Sequence, residues 1–500
     1  MSRMFCSVVF VLCALGRPAF AGEARPLEFH LTFDRSVRAE PFTGRVYVML
    51  SQSPVTALPG GPNWFKPEPF FALDVKDWKP GETRILGSDA LACPLPLAKL
   101  ARGTWSVQAV MDLDRGARSF SHGDGNLHSK PLRQELDPVA SGPVKVVLDQ
   151  MYREARFKET ERVKLVEIES KLLSAFHGKP MKMRAGVVLP KSFAKDADRR
   201  YPVIYEIPGF GGTHTMAHGA AARNATEVAG VEMLYVMLDP SCRLGHHVFA
   251  DSDNNGPCGK ALVEELIPHI ERTYRGLGTP QARFVTGHSS GGWSSLWLQV
   301  AYPDFFGGCW STAPDSVDFR DFQKVNIYEE GISIFTDEKG AQRPLARRGD
   351  TLVLFYKPFS DMEVVMGRGG QLFSFEAVFS PKGPDGKPRP LWDRVSGKVD
   401  AEVAQTWQRY DIRLLLERNW KTLGPKLAGK VHVYMGGKDT FYLDGATVLL
   451  KQSLTKFGSN AVVEIFPDRH HGNLIDAALR RRMAEQMAEQ FRKDRPASGG

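Results

Sequence analysis

The stretch Phe284-Val285-Thr286-Gly287-His288-Ser289-Ser290-Gly291-Gly292-Trp293 constrains this chain more than any other. An apolar, β-branched run ends on glycine, and a serine stands between Gly287 and Gly291. Helix-forming residues follow at once, from Trp293 to Val300. The pattern is a strand, a sharp turn and a helix, with Ser289 at the apex. A turn this tight crowds backbone against backbone. Glycines two before and two after the serine let neighbouring chain close in while the hydroxyl points outward. Ser289 is therefore the candidate nucleophile.

A serine hydroxyl attacks only when a base takes its proton, and that base needs an acid to orient it. In sheets that carry such an elbow, acid and base follow the serine in chain order, each just beyond a strand end. The apolar run Val431-His432-Val433-Tyr434-Met435 leads into Gly436-Gly437-Lys438-Asp439, which places Asp439 at the acid position, with Asp444 as the fallback. Val462 to Phe466 leads into Pro467-Asp468-Arg469-His470-His471, which places a histidine at the base position. His471 is preferred and His470 is the alternative, because residues next to each other on extended chain face opposite ways. The developing oxyanion needs two fixed backbone N–H groups. Ser290 supplies one and the loop Pro208-Gly209-Phe210-Gly211-Gly212 the other, from Phe210 or else Gly211.

The rest of the chain gives this chemistry a frame. Five hundred residues exceed one core, and 42% apolar with 24% charged residues is ordinary for a globular protein. The net charge of +8 is spread along the chain, with no basic block or aromatic-basic signature, so nucleic acid is not an expected partner. Residues 1–21 form an expected signal peptide. Arg3 precedes the apolar run Val8 to Leu15, and Ala19-Phe20-Ala21 offers a small-x-small cleavage site. The run is too short to span a bilayer, so a secreted or periplasmic protein without stable membrane insertion is expected. Cys6 and Cys13 leave with the peptide. Of the remaining cysteines, Cys309 lies in an apolar run, and Cys242 and Cys258 flank one polar loop that a disulfide between them would close.

Residues 22–155 alternate in short apolar runs between Pro/Gly clusters and are expected to form a small all-β sandwich. The charged stretch Glu154 to Arg162 marks its end. From 156 to 491 strands alternate with helices, as in an α/β, doubly wound, mainly parallel sheet. Regular rhythm stops between about 315 and 403, read as an insertion over the edge of the sheet where ligands bind. Residues 492–500 are expected to be a flexible tail. A metal is the rival chemistry. His246-His247 and the acidic residues after them lack any familiar ligand spacing, so no metal or other cofactor is expected and the loop is assigned to the pocket wall.

Taken together, Ser289 in Gly-His-Ser-Ser-Gly-Gly, the upstream Pro-Gly-Phe-Gly-Gly, Gly-Gly-Lys-Asp and the late histidine resemble the Putative esterase (esterase D-like) family. That resemblance implies an α/β-hydrolase fold over roughly Val163 to Phe491. It also implies a serine esterase working through an acyl-enzyme on a small-molecule or glycan-linked ester. A preceding β-sandwich is similar to the arrangement in enterochelin esterase-like and carbohydrate-esterase-like proteins. Two departures stand out: Pro208-Gly209 where His-Gly is common, and the long insertion before Asp439. The same machinery would serve a peptidase, and a non-catalytic glycan- or partner-binding protein is the distant rival.

Overall fold

The computed structural model describes residues 25–113 and 116–493. The expected signal peptide and the end of the expected tail lie outside the described residues. Arg492 and Lys493 close the last helix, Ala477–Lys493.

Nine strands between Glu28 and Met151 form one hydrogen-bonded sheet. Alternation decides its two faces. Phe29, Leu31 and Val146 lie on two paired strands and Val46, Val48 and Val107 on another pair further along the sheet, yet all share one apolar core. The sheet therefore curls over on itself, which is what short alternating runs with one buried face require. Its other face is not left to water. Tyr47, Met49, Phe70, Ala72 and Val110 join the core of the second unit.

Residues 152–162 carry no strand or helix. We propose that one unit ends and the other begins there. The second sheet has eight strands: β1 Val163–Glu169, β2 Lys182–Val188, β3 Val203–Ile207, β4 Leu234–Leu238, β5 Arg283–His288, β6 Gly308–Thr312, β7 Val431–Gly436 and β8 Val462–Phe466. Their order is β1-β2-β4-β3-β5-β6-β7-β8. β1 and β2 run antiparallel to their neighbours, and from β4 through β8 every pairing is parallel. This is the α/β-hydrolase fold. The middle strands are apolar almost throughout because helices cover both faces; every residue of β6 is buried.

Two expectations need correction. The insertion is not irregular. It holds a hairpin, Pro344–Arg348 with Thr351–Phe355, and helices Tyr356–Met366 and Gln371–Phe379. The helix Gln371–Phe379 is buried nearly all round, so it has no polar face and shows no amphipathic period. Phe379 packs its ring against Trp293, in the helix that follows β5, at a centroid distance of 5.2 Å, which seats this insertion on the sheet domain. Nor does a disulfide close the polar loop, because Cys242 and Cys258 are free thiols. Both turn to Asn255 instead: the Cys242 thiol faces its Oδ1 at 3.7 Å, and the Cys258 thiol its carbonyl at 3.4 Å. Among the described residues no helix is long and apolar enough to cross a membrane.

Candidate active site

β5 delivers Ser289 with φ 61° and ψ −125°, a conformation that non-glycine residues avoid. The surroundings hold it there. Ser289 N–H donates to the Thr312 carbonyl at 3.0 Å, and the Ser289 carbonyl accepts from Trp293 N–H at 3.0 Å as the helix Ser290–Ala301 begins. The flanking glycines are required by contact. A Cβ on Gly291 would stand 1.9 Å from the Ile207 carbonyl oxygen, and one on Gly287 2.2 Å from that of Gly291. A strained serine at the head of a buried helix is what the motif demands.

β7 ends at Gly436, and Asp439 follows in the next turn with its side chain fully buried. Its Oδ1 accepts the Phe441 N–H at 2.8 Å and the Leu443 N–H at 3.4 Å. Its Oδ2 accepts from His471 Nδ1 at 2.8 Å. His471 opens a short 3₁₀ turn after β8, and the ring is wedged between His288, 4.6 Å away centre to centre, and the edge-on Phe441 at 5.1 Å. Burial is the largest influence on the imidazole and works to lower its pKa. The bond to Asp439, with the charges of Asp439 and Asp315, outweighs burial and leaves the pKa raised. His288 is pushed down to about 4 by burial and the neighbouring His471, so it stays a neutral spacer. His470 points elsewhere: it is exposed, and its Nδ1 accepts the Gly472 N–H at 3.2 Å. Asp444 is likewise engaged elsewhere, paired with Arg347 at 3.2 Å.

The loop after β3 passes directly beneath the nucleophile, where a Cβ on Gly209 would come within 3.3 Å of the Ser289 Cβ. Gly212 N–H donates to the Gly209 carbonyl at 2.9 Å and closes the turn around Phe210. Among the described residues neither the Phe210 nor the Ser290 N–H has a hydrogen-bond partner. The histidine pair expected in the pocket wall does not line the cavity. His246 is buried behind this loop, accepts the Val248 N–H at Nδ1 and donates from Nε2 to the Pro208 carbonyl at 2.9 Å. Burial drops its pKa to about 3, which keeps it in the neutral form that can do both. No cluster of metal-ligating side chains occurs among the described residues.

Ser289, His471, His288 and Phe210 line one cavity of about 260 Å³. The family described as "Putative esterase" matches residues 178–460. The chain belongs to that family. The match includes Ser289 and Asp439 and stops short of His471. No curated protein sequence matches the chain. Among solved structures the chain is similar to a ferulic acid esterase, at 15% identity and TM-score 0.42, over 66% of this chain and 99% of that one. An S-formylglutathione hydrolase from Agrobacterium tumefaciens gives 16% and 0.41, over 66% and 95%. One from Staphylococcus aureus gives 12% and 0.36, over 66% and 100%.

The cavity of this esterase also holds residues that the sequence reading did not single out. Leu345, Leu354, Phe359, Gln371, Leu372 and Phe375 come from the insertion. Trp64 comes from the first unit, set edge-on to Phe359 at 5.2 Å and tilted against Phe210 at 5.7 Å. Asp315 is buried three residues beyond β6, beside the serine pair. It obeys the same strand-then-acid grammar that located Asp439, and that was the usable signal for it.

Proposed function

We propose that this esterase hydrolyses carboxylic esters through an acyl-enzyme on Ser289, with His471 as base, Asp439 as orienting acid, and the N–H groups of Phe210 and Ser290 as oxyanion donors. The observation that carries the reading is the His471–Asp439 bond of 2.8 Å, which fixes the imidazole in a cavity shared with the strained serine. With Nδ1–H donated to Asp439, Nε2 is the acceptor nitrogen. It takes the Ser289 proton as Oγ bonds to the ester carbonyl carbon, and the carbonyl electron pair moves onto oxygen between the two N–H groups. Collapse expels the alcohol, which leaves with the proton from Nε2. Water then attacks the acyl-enzyme by the same route and releases the acid. In the resting structure the Ser289 hydroxyl donates to Asp315 at a long 3.5 Å, so attack begins with its turn toward His471. Trp64, Phe359 and Phe441 give the cavity an apolar wall on which the carbon skeleton of an ester can pack. The amino-terminal segment supports export and a secreted or periplasmic site of action.

The test is Ser289→Ala with a fluorophosphonate probe and a panel of nitrophenyl esters and peptide nitroanilides. The wild type is expected to take the label and cleave esters rather than amides. The variant is expected to lose both while melting within a few degrees of the parent, since a small half-buried hydroxyl with one long contact contributes under about 1 kcal/mol. Near-normal ester turnover by the variant would falsify the reading.

A further inference from the structure

Asp315 is a second buried carboxylate at the candidate nucleophile, and the proposed triad does not use it. It is 6% exposed and lines the cavity. Its two oxygens are not equivalent. Oδ2 accepts the Ser290 hydroxyl at 2.6 Å, and that hydroxyl oxygen in turn accepts from Gln371 Nε2 of the insertion at 3.2 Å. This chain of bonds fixes the carboxylate and leaves Oδ1 with one long contact, 3.5 Å from Ser289 Oγ. A buried carboxylate with a lone pair so weakly engaged is under-bonded. Once Ser289 is acylated its oxygen carries no hydrogen, and Oδ1 loses even that donor. The acyl carbonyl carbon is then bonded to Oγ, so a substituent on the next carbon falls within reach of Oδ1.

We propose that Asp315 is a substrate-binding residue and that the preferred acyl group carries a hydrogen-bond donor, a hydroxyl or an ammonium, on the carbon next to its carbonyl. This rests on the acyl-enzyme reading given above. The groups facing Asp315 agree with it. Ser289 and Ser290 come from the elbow, His471 from the turn after β8, and Gln371 reaches Asp315 through Ser290. None of them offers Oδ1 a short hydrogen bond. Burial raises the carboxyl to about 6, so at neutral pH the acid is mostly ionised and calls for a donor. Gln323, also in the cavity wall, donates from Nε2 to the Phe441 carbonyl at 3.1 Å and leaves its buried Oε1 without a partner among the described residues. That is a second unmet acceptor on a wall residue.

The experiment compares ethyl lactate with ethyl 2-methoxypropionate, which match in inductive effect and differ in the donor, and adds alanine ethyl ester and ethyl propionate. Acid release is followed at constant pH on wild type, Asp315→Asn and Asp315→Ala. The wild type is expected to favour lactate over the methoxy ester by about tenfold or more in kcat/KM, as one hydrogen bond to a charged group gives. A larger preference for the alanine ester over propionate identifies ammonium, and a larger preference for lactate over the methoxy ester identifies hydroxyl. In Asp315→Asn the Ser290 hydroxyl retains the amide oxygen and the NH₂ faces the cavity, so the ratio collapses toward one, as in Asp315→Ala. Because each ratio is internal to one protein, loss of folded enzyme does not imitate the result. Ratios near one in the wild type, or unchanged in both variants, overturn the inference and leave the esterase reading standing. Labelling of Ser289 without turnover of lactate or alanine ester does the same. Absence of both labelling and ester cleavage removes the reading and the inference together.

Discussion

Asp439→Asn separates an orienting acid from a bystander, and the structure dictates what the new amide must do. Two backbone N–H groups, of Phe441 and Leu443, converge on Oδ1, so the amide oxygen is held at that position. The NH₂ group then replaces Oδ2 opposite His471 Nδ1, where the acid now accepts at 2.8 Å. Nδ1 must become the acceptor, the ring proton moves to Nε2, and the nitrogen that should take the Ser289 proton already carries one. A wrong tautomer in intact geometry costs about 10⁴ in kcat, or roughly 5.5 kcal/mol. The acidity of the ring moves as well. Burial is the largest influence on His471 and lowers its pKa, and Asp439 supplies most of the opposition. A base must be neutral to act, so wild-type kcat/KM is expected to rise with pH through a midpoint above the usual histidine value of about 6.5. In the variant that limb shifts to lower pH. The assay is kcat/KM for a nitrophenyl ester from pH 5 to 9 on both proteins, with thermal melting to check the fold. A loss under tenfold, or a limb displaced upward, refutes the reasoning. So does a larger kcat loss in Asp315→Asn, which would transfer the acid role to the carboxylate beyond β6.

Two further outcomes follow from the same geometry. His471→Ala is expected to lose kcat by at least about 10³, whereas His470→Ala removes only an exposed cap on Gly472 N–H and stays within about tenfold of the parent; parallel steady-state kinetics decide between them. Trp64→Ala removes a cavity wall and its edge contact with Phe359, and is expected to lower kcat/KM roughly tenfold through KM, since aromatic contact and burial together are worth about 1–2 kcal/mol; unchanged KM across short and bulky acyl esters would show that the wall does not touch substrate.

The strands were legible because burial on both faces writes continuous apolar runs, as in Leu234–Leu238 and Val431–Gly436. The candidate site was legible where it sits at strand ends: Ser289, Asp439 and the His470-His471 pair all follow strands. Direction of side chains was not. That His471 faces Asp439 while His470 caps a turn depends on one 3₁₀ turn after β8. The insertion was unreadable because burial erased its period. Trp64 was unreadable for another reason: nothing local in a Pro/Gly-rich loop says that a fold formed elsewhere will present its cavity to that ring.

The carboxyl end of the helix Tyr356–Met366 has a history of its own. Its last carbonyls are met by the first unit: Arg45 donates to Val364 and Val365 at 2.8 and 3.0 Å, and the Tyr47 hydroxyl donates to Met366 at 2.6 Å. The Arg45 and Val364 partners stand 319 residues apart in sequence. Contacts that distant close late in folding, after the entropy of a long loop has been spent. The wall of the reaction chamber is therefore held by a contact that requires closure of a long loop. Both segments precede β8 and His471 in the chain, so this docking needs nothing from the end of the chain that carries the candidate base. A change at Arg45 or Tyr47 would therefore act on the cavity from a distance, through the helix that supplies Phe359 to its wall.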